Sequence, residues 1–152
     1  MTIYFYETKE KYGEFSNFSD HGISLDNKWW KTTEHYFQAQ KFTNAEYQET
    51  IRMAADPKTA ATLGRSRAVA LRADWEQVKD EVMRRAVLAK FQSHRELRAL
   101  LLATGDEVLV EHAPGDYYWG CGADKSGKNR LGEILQEVRQ ILRSHALPGT
   151  EA

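Results

Sequence analysis

The chain has 152 residues, a formal net charge of -1 and a single cysteine, and 41% of its residues are hydrophobic. These values are typical of a soluble globular protein and give no electrostatic surface for non-specific nucleic-acid binding. One cysteine excludes an internal disulfide and fits a reducing compartment. No apolar run has the length of a membrane span and no signal-peptide pattern is visible. We therefore expect a cytoplasmic protein without a membrane partner.

Short strands and one polar helix are predicted in the first part of the chain. Residues 3–6 indicate a strand, and residues 23–30 indicate a hairpin that turns at its central Asp-Asn pair. The sequence TTEHYFQAQKF then predicts a helix over Thr33–Phe42, capped by Thr32 or Thr33.

Helix signals dominate the rest of the chain. Asn44 can cap a helix that runs to about Ala54, and Asp56 followed by a proline begins another that Gly64 closes. Further helices are expected to begin at Asp74, in a capping box over Ser93–Glu96 and near Asn129, with a short strand over 108–110.

Strands this few and scattered do not build a doubly wound sheet, so the sequence predicts a mainly α fold with a few short β-strands. No repeat or long linker divides the chain. We expect one domain over residues 1–146 and a disordered C-terminal tail over 147–152.

The predicted first helix carries a row of polar groups. Glu34, Gln38 and Lys41 follow one another at i, i+4 and i+7 and so share one face. In the first turn, the helix N-terminus favours the ionised form of Glu34, and such a carboxylate can stabilise positive charge, position water or take a proton. Alternatively, Glu34 only complements the helix dipole and Lys41 is solvated.

A second candidate is the loop EHAPGDYYWGCG over 111–122. Asp116 lies there among aromatic residues, after a predicted strand, in a position that often carries a reactive carboxylate. Together with Glu34 it would supply the two carboxylates that cleavage of a glycosidic bond usually requires. Alternatively, Asp116 forms a turn after Pro-Gly and Trp119 belongs to the core.

The segment GADKSGKN over 122–129 is rich in glycine and lysine. It departs from a P-loop because Asn129 stands where Ser or Thr would bind the metal. Its glycines, Lys125 and Lys128, placed before a helix, could still form an anion site for a phosphate. A flexible basic surface loop is the alternative.

Arg65 and Arg67 form another basic group, with Trp75 a few residues further on. Two arginines and an indole could bind a phosphate and stack a planar base. Alternatively, the arginines are a solvated turn and Trp75 anchors the core. The five histidines show no ligand spacing and Cys121 lies between glycines, so we expect neither a metal nor a cofactor.

Ordered blocks of residues carry a family resemblance over nearly the whole chain. They are FYE at 5–7, YGEFSNF at 12–18, WKTTEHYFQAQKF at 30–42, DWEQVKDEVM at 74–83, LVEH at 109–112, DYYWG at 116–120 and GKNRLG at 127–132. With these blocks the chain resembles the NADAR superfamily and is similar to its YbiA-like bacterial branch, the N-glycosidases of riboflavin-biosynthesis intermediates. The blocks EHYFQAQKF and DxxWG are the specific ones.

The resemblance implies a YbiA-like helical fold and an enzyme that hydrolyses an N-glycosyl bond. The substrates would be phosphorylated ribosylaminopyrimidine intermediates, whose ribose C–N bond is cut to release ribose 5-phosphate and so pre-empt metabolite damage. One alternative is an ADP-ribose glycohydrolase whose partner is nucleic acid with ADP-ribosylated guanine. Another is a non-catalytic module that binds ADP-ribose or a nucleotide. No obligate protein partner is evident.

The resemblance also implies site residues. Glu34, Trp75 and Asp116 fall on positions that the family associates with its active site, and Lys41 falls on its helix lysine. Glu34 would stabilise the ribosyl cation or activate water, and Asp116 would orient the ribose or be the second acid/base group. Lys41 could instead trap the ribose as a Schiff base. The predicted substrate-binding residues are Ser16, Asn17, Gln38, Arg65, Trp75, Trp119, Gly120, Lys128 and Asn129.

Overall fold

Six α-helices and four short strands make up residues 1–145, the part of the chain that the computed structural model describes. The strands are β1 (Thr2–Phe5), β2 (Ile23–Leu25), β3 (Lys28–Trp30) and β4 (Val108–Glu111). The helices are α1 (Thr33–Ala39), α2 (Ala45–Arg52), α3 (Pro57–Arg65), α4 (Trp75–Ser93), α5 (Arg95–Ala103) and α6 (Arg130–His145). The predicted mainly α fold is confirmed, and the predicted tail over 147–152 lies outside the described residues.

The elements fall into two units, which we name by their place in the sequence. The central unit is Asn17–Ala89, and the terminal unit combines residues 1–16 with residues 90–145. The prediction of a single domain over residues 1–146 stays a prediction. Within residues 1–145, no helix is long and apolar enough to cross a membrane.

Local signals in the sequence begin the three short helices of the central unit. The side chains of Thr32, Asn44 and Asp56 accept the N–H groups of His35, Tyr47 and Thr59, respectively. Each of these bonds satisfies a backbone donor that the first turn leaves without a partner, so the three predicted caps are confirmed. The β2–β3 hairpin is also confirmed: its turn residues both have positive φ, as a tight two-residue turn requires.

Three predicted details are wrong. Helix α1 ends at Ala39, so Lys41 lies beyond the helix rather than on its face. Gly64 does not close α3, which continues to Arg65 and buries Gly64 inside it. Ser93 is the last residue of α4, and His94, the N-cap of α5, makes no side-chain capping bond.

In the terminal unit, β1 and β4 pair in parallel, with Ile3 opposite Leu109. Helix α6 lies along β4, because Gln136 accepts the N–H of Leu109 at 2.9 Å. The buried face of α6 includes the apolar side chains of Leu131, Ile134, Leu135, Val138 and Leu142. The two strands and this helix carry the loop over 111–129, in which several predicted site residues lie.

Candidate active site

The start of helix α1 buries a carboxylate. Glu34 is the second residue of the helix, and only 9% of its surface is exposed. Its backbone N–H donates to the carbonyl oxygen of Asn17 at 3.2 Å. The sequence places Glu34 correctly in the first turn, where the helix dipole favours a negative charge.

Gln38 lies one turn further along α1 and holds the Glu34 carboxylate. Its Nε2 donates to Oε2 of Glu34 at 2.6 Å, and the pair is buried. The other side of the amide lies against Gly64: a Cβ on that glycine would be 1.8 Å from Oε1 of Gln38. Among residues 1–145, Oε1 finds no hydrogen-bond partner. Gly64 of helix α3 therefore limits the position of the Gln38 amide, and this amide in turn holds the Glu34 carboxylate.

Lys41 lies near Glu34 although the helix has ended. Its Nζ is 5.8 Å from the centroid of the Phe37 ring, and that ring is 5.2 Å from the indole of Trp75. Burial lowers the pKa of Lys41, the negative charge of Glu34 opposes the shift, and Arg67 and Arg65 reinforce it. A half-buried amine with a lowered pKa can act as a nucleophile.

The polar groups of Asn17 are bonded to other residues of the protein. Its Oδ1 accepts the hydroxyl of Thr33 at 2.9 Å, and its Nδ2 contacts Sδ of Met83 at 3.3 Å. Because its carbonyl also accepts the N–H of Glu34, Asn17 fixes the start of α1. This geometry favours a positioning role over the predicted contact with substrate.

In the terminal unit, Ser16 is buried and its carbonyl accepts the amine of Lys90 at 2.9 Å. Lys90 is 1% exposed, and burial lowers its pKa to about 7. Neither atom of this bond reaches solvent, so it supports the backbone beside Ser16. A role of the Ser16 side chain in binding substrate stays a prediction.

Asp116 organises its own loop. Its Oδ1 accepts the backbone N–H groups of Tyr118 and Trp119, at 3.0 and 2.8 Å. Gly120 closes the same turn tightly, since a Cβ there would be 2.9 Å from Cβ of Ala113 and 3.0 Å from the Asp116 carbonyl oxygen. The turn that the sequence offered as the alternative is therefore present, and a catalytic role of Asp116 stays a prediction.

Trp119, Lys128 and Asn129 lie around this loop. The Trp119 indole meets the Tyr118 ring edge to face at 4.8 Å, and Nζ of Lys128 is 5.5 Å from that ring. Asn129 uses both ends of its amide on β4: Oδ1 accepts the N–H of Glu111 and Nδ2 donates to the Leu109 carbonyl, each at 2.9 Å. Asn129 therefore holds the loop to the strand.

The glycine-rich segment does not form the backbone anion site that its composition allowed. The last amide groups of the segment and the first two of α6 donate to carbonyl oxygens of the preceding loop; these donors are Gly127, Lys128, Asn129, Arg130 and Leu131. A phosphate at the start of α6 would have to displace these bonds. The tight packing of Gly127 against Gly120 and Cys121 explains the glycine content in structural terms.

The sequence did not reveal two residues of the central unit, Phe37 and Gly64, that contact the predicted site residues. Phe37 links Lys41 to Trp75, and its spacing of three residues from Glu34 was the available signal. Gly64 contacts Gln38 from a different helix, so no local pattern could reveal it. Within the described part of the chain, no group of three His, Cys, Asp or Glu side chains could hold a metal.

Comparisons with known proteins show the family of the chain. The chain is 54% identical to N-glycosidase YbiA of Escherichia coli over 140 residues, which are 92% of this chain and 88% of that protein. It is 43% identical to riboflavin biosynthesis protein VVA0006 of Vibrio vulnificus over 144 residues, 95% of this chain and 39% of that one. The NMR structure of the E. coli protein YbiA matches with a TM-score of 0.89 at 53% identity, over 95% of this chain and 86% of that chain. The model of the NADAR domain matches residues 4–143, and the chain therefore belongs to the NADAR family.

Proposed function

We propose that this protein is an N-glycosidase that hydrolyses the ribose C–N bond of phosphorylated ribosylaminopyrimidine intermediates of riboflavin biosynthesis. The observation that carries the proposal is the buried Glu34–Gln38 pair with the Lys41 amine beside it. The names of the E. coli and V. vulnificus relatives support the bond class and the pathway, respectively. We place the reaction in the cytoplasm, with a phosphorylated ribosyl compound as the partner.

In the direct route, Glu34 acts on the ribose carbon that loses its nitrogen. As the C–N bond breaks, positive charge develops on the sugar ring, and a buried carboxylate stabilises it. Water then adds its oxygen to that carbon, and the departing nitrogen gains a proton. Gln38 keeps Glu34 in one orientation, so no reorganisation is needed when the charge appears.

In the second route, Lys41 attacks first. Its neutral amine bonds to the anomeric carbon, the base leaves with a proton, and the ribose ring opens to a Schiff base. Water hydrolyses that imine, which releases the ribose phosphate and restores the amine. Burial favours the neutral amine that this route needs.

The remaining predicted residues serve recognition or acid/base chemistry in this proposal. Asp116 orients the ribose or is the second acid/base group, Trp75 or Trp119 stacks the base, and Arg65, Lys125 or Lys128 binds the phosphate. Trp75 is 6% exposed and packed on Phe37, so little of its ring surface is open to a base.

The test compares product release by the wild type, Glu34→Gln and Glu46→Gln. Glu46 is the matched control, because it is also a glutamate in the first turn of a helix of the central unit but is exposed. With a ribosylaminopyrimidine phosphate as substrate, we expect ribose 5-phosphate from the wild type and the control and a loss of about 100-fold or more in Glu34→Gln.

Equal rates in Glu34→Gln and the wild type would refute the role of Glu34. A second substrate, an oligonucleotide with ADP-ribosylated guanine, tests the alternative. Release of ADP-ribose from it, without turnover of the first substrate, would move the activity to nucleic acid. Tight binding of ADP-ribose without turnover of either would favour the non-catalytic module.

A further inference from the structure

Two arginines of the central unit, Arg65 and Arg67, differ from the other four in their bonding partners. The unit contains six arginines, and four of them pair with carboxylates: Arg52 with Glu49, Arg72 with Asp74, Arg84 with Glu81 and Arg85 with Asp26. Within residues 1–145, Arg65 and Arg67 contact only neutral oxygen atoms. Arg65 donates to the Thr62 hydroxyl at 3.3 Å, and Arg67 donates to the carbonyls of Gly64 and Ser66 at 3.0 Å each.

These two arginines lie next to the candidate catalytic pair. Arg67 is bonded to the carbonyl of Gly64, and Gly64 lies against the Gln38 amide that holds Glu34. The chain of contacts from the guanidinium to the carboxylate therefore passes through two residues. Arg65 immediately follows Gly64 at the end of α3 and is exposed.

The charged groups around Lys41 leave an excess of positive charge that an anionic ligand can neutralise. Lys79, the other cation near Lys41, forms an ion pair with Glu76 at 2.7 Å. Glu34 contributes one negative charge, while Arg65 and Arg67 contribute two positive charges without carboxylate partners. A phosphate monoester carries close to two negative charges at neutral pH, and guanidinium groups bind it through forked hydrogen bonds.

We propose that the turn Arg65–Ser66–Arg67 is the subsite for the phosphate of a phosphorylated ribose, with both guanidinium groups on that phosphate. The glycine-rich segment is the rival position, but its amide groups next to α6, those of residues 127–129, are bonded to the preceding loop. The subsite selects substrates with a phosphate on the sugar, either a monoester or the diphosphate of ADP-ribose. This inference rests on the proposed function only for the identity of the sugar that is bound.

Direct binding tests the subsite without requiring turnover. Ribose 5-phosphate, ADP-ribose and unphosphorylated ribose are titrated by calorimetry into the wild type, Arg65→Gln, Arg67→Gln and Lys128→Gln. Arg84→Gln is the matched control, because it removes an arginine of the same unit that already has a carboxylate partner. Thermal unfolding of each variant shows whether the fold is kept.

We expect each of the two arginine substitutions to weaken ribose 5-phosphate binding by about 10- to 100-fold, and the control to leave it unchanged. Arg67→Lys keeps the positive charge but loses the forked pair of hydrogen bonds, so we expect an affinity between those of the wild type and Arg67→Gln. Ribose should bind equally weakly to all variants. If the wild type binds ADP-ribose more tightly than ribose 5-phosphate and both substitutions abolish this preference, the diphosphate is the natural ligand. If it binds ribose 5-phosphate more tightly, the monoester is the natural ligand.

Three results would overturn the subsite: no binding of either phosphate compound to the wild type, unchanged affinity in both arginine variants, or a loss confined to Lys128→Gln. The proposed function fails in a different way. A wild type that binds ribose 5-phosphate through these arginines but releases no base would refute the N-glycosidase and leave the subsite intact.

Discussion

Substitution of Gly64 by alanine tests whether the contact between α3 and Gln38 holds the Glu34 carboxylate in place. The new Cβ would be 1.8 Å from Oε1, 2.7 Å from Cδ and 3.1 Å from Cβ of Gln38. Ordinary contact begins near 3.4 Å, so the amide oxygen must retreat by about 1.6 Å. The hydrogen bond of 2.6 Å from Gln38 to Glu34 cannot survive that movement.

The expected loss of stability follows from three contributions. A hydrogen bond to a charged group is worth about 1.5–3 kcal/mol, and overpacking in a core costs about 1–3 kcal/mol. Alanine in place of a helical glycine offsets about 1 kcal/mol of this. We expect the free energy of unfolding to fall by about 1.5–5 kcal/mol, measured by urea unfolding, and kcat to fall because Glu34 loses its orientation.

The double variant Gly64→Ala/Gln38→Ala separates the steric effect from any other role of the glycine. Without the Gln38 amide, the two shortest contacts of the added methyl group are removed and the Cβ at position 38 is 3.1 Å away, so we expect Gly64→Ala to change stability by less than about 1 kcal/mol in that background. The same large loss in both backgrounds would refute the reasoning. Catalysis should stay low in the double variant, because the partner of Glu34 is absent.

Three further predictions concern buried groups. Lys41→Arg should abolish the Schiff-base route, and borohydride reduction with substrate should leave an adduct on wild-type Lys41 alone. Since burial lowers the pKa of Lys41, that route should gain rate with pH below the ordinary lysine value of 10.5. For Lys90, whose pKa is about 7 in the folded protein, the penalty for burying the charge is complete below pH 7 and vanishes above pH 10.5. As the pH rises between these values, the wild type should therefore gain about 1.4 kcal/mol of stability per pH unit relative to Lys90→Met. A difference in stability that stays constant with pH would contradict the buried amine. Asn17→Ala and Thr33→Val should each cost about 1–2 kcal/mol, with little further loss in the double variant, because both remove the same hydrogen bond.

Local chemistry explains what the sequence predicts well. The caps at Thr32, Asn44 and Asp56 depend on a side chain and an N–H three residues later, and all three form. The resemblance of ordered blocks leads to the family that the comparisons show. The position of Glu34 in the first turn of α1 follows from the same local reasoning.

Contacts between elements explain what the sequence predicts poorly. Lys41 fits the helical face by spacing, but α1 ends two residues earlier and the lysine lies over Phe37 instead. Gly64 resembles a helix terminator, although its reason is the Gln38 amide from another helix. The glycine-rich segment resembles an anion site in composition, and only its backbone pairing shows that the donors are already used.

Burial explains why Glu34, rather than one of the many exposed carboxylates, suits the proposed chemistry. All seven residues of α1 are buried, and His35 shows the structural use of such a position: its ring bonds Thr32 and the Ala54 carbonyl, and burial lowers its pKa. Glu34 differs because its carboxylate accepts a hydrogen bond from the Gln38 amide, whose Oε1 has no hydrogen-bond partner within residues 1–145. Two unit charges 4 Å apart attract by about 1 kcal/mol in water but by about 4 kcal/mol at an effective dielectric constant of 20. That difference of about 3 kcal/mol corresponds to a rate factor of more than about 100 when the positive charge exists only in the transition state. An exposed glutamate such as Glu46 cannot supply this factor, because water screens its charge.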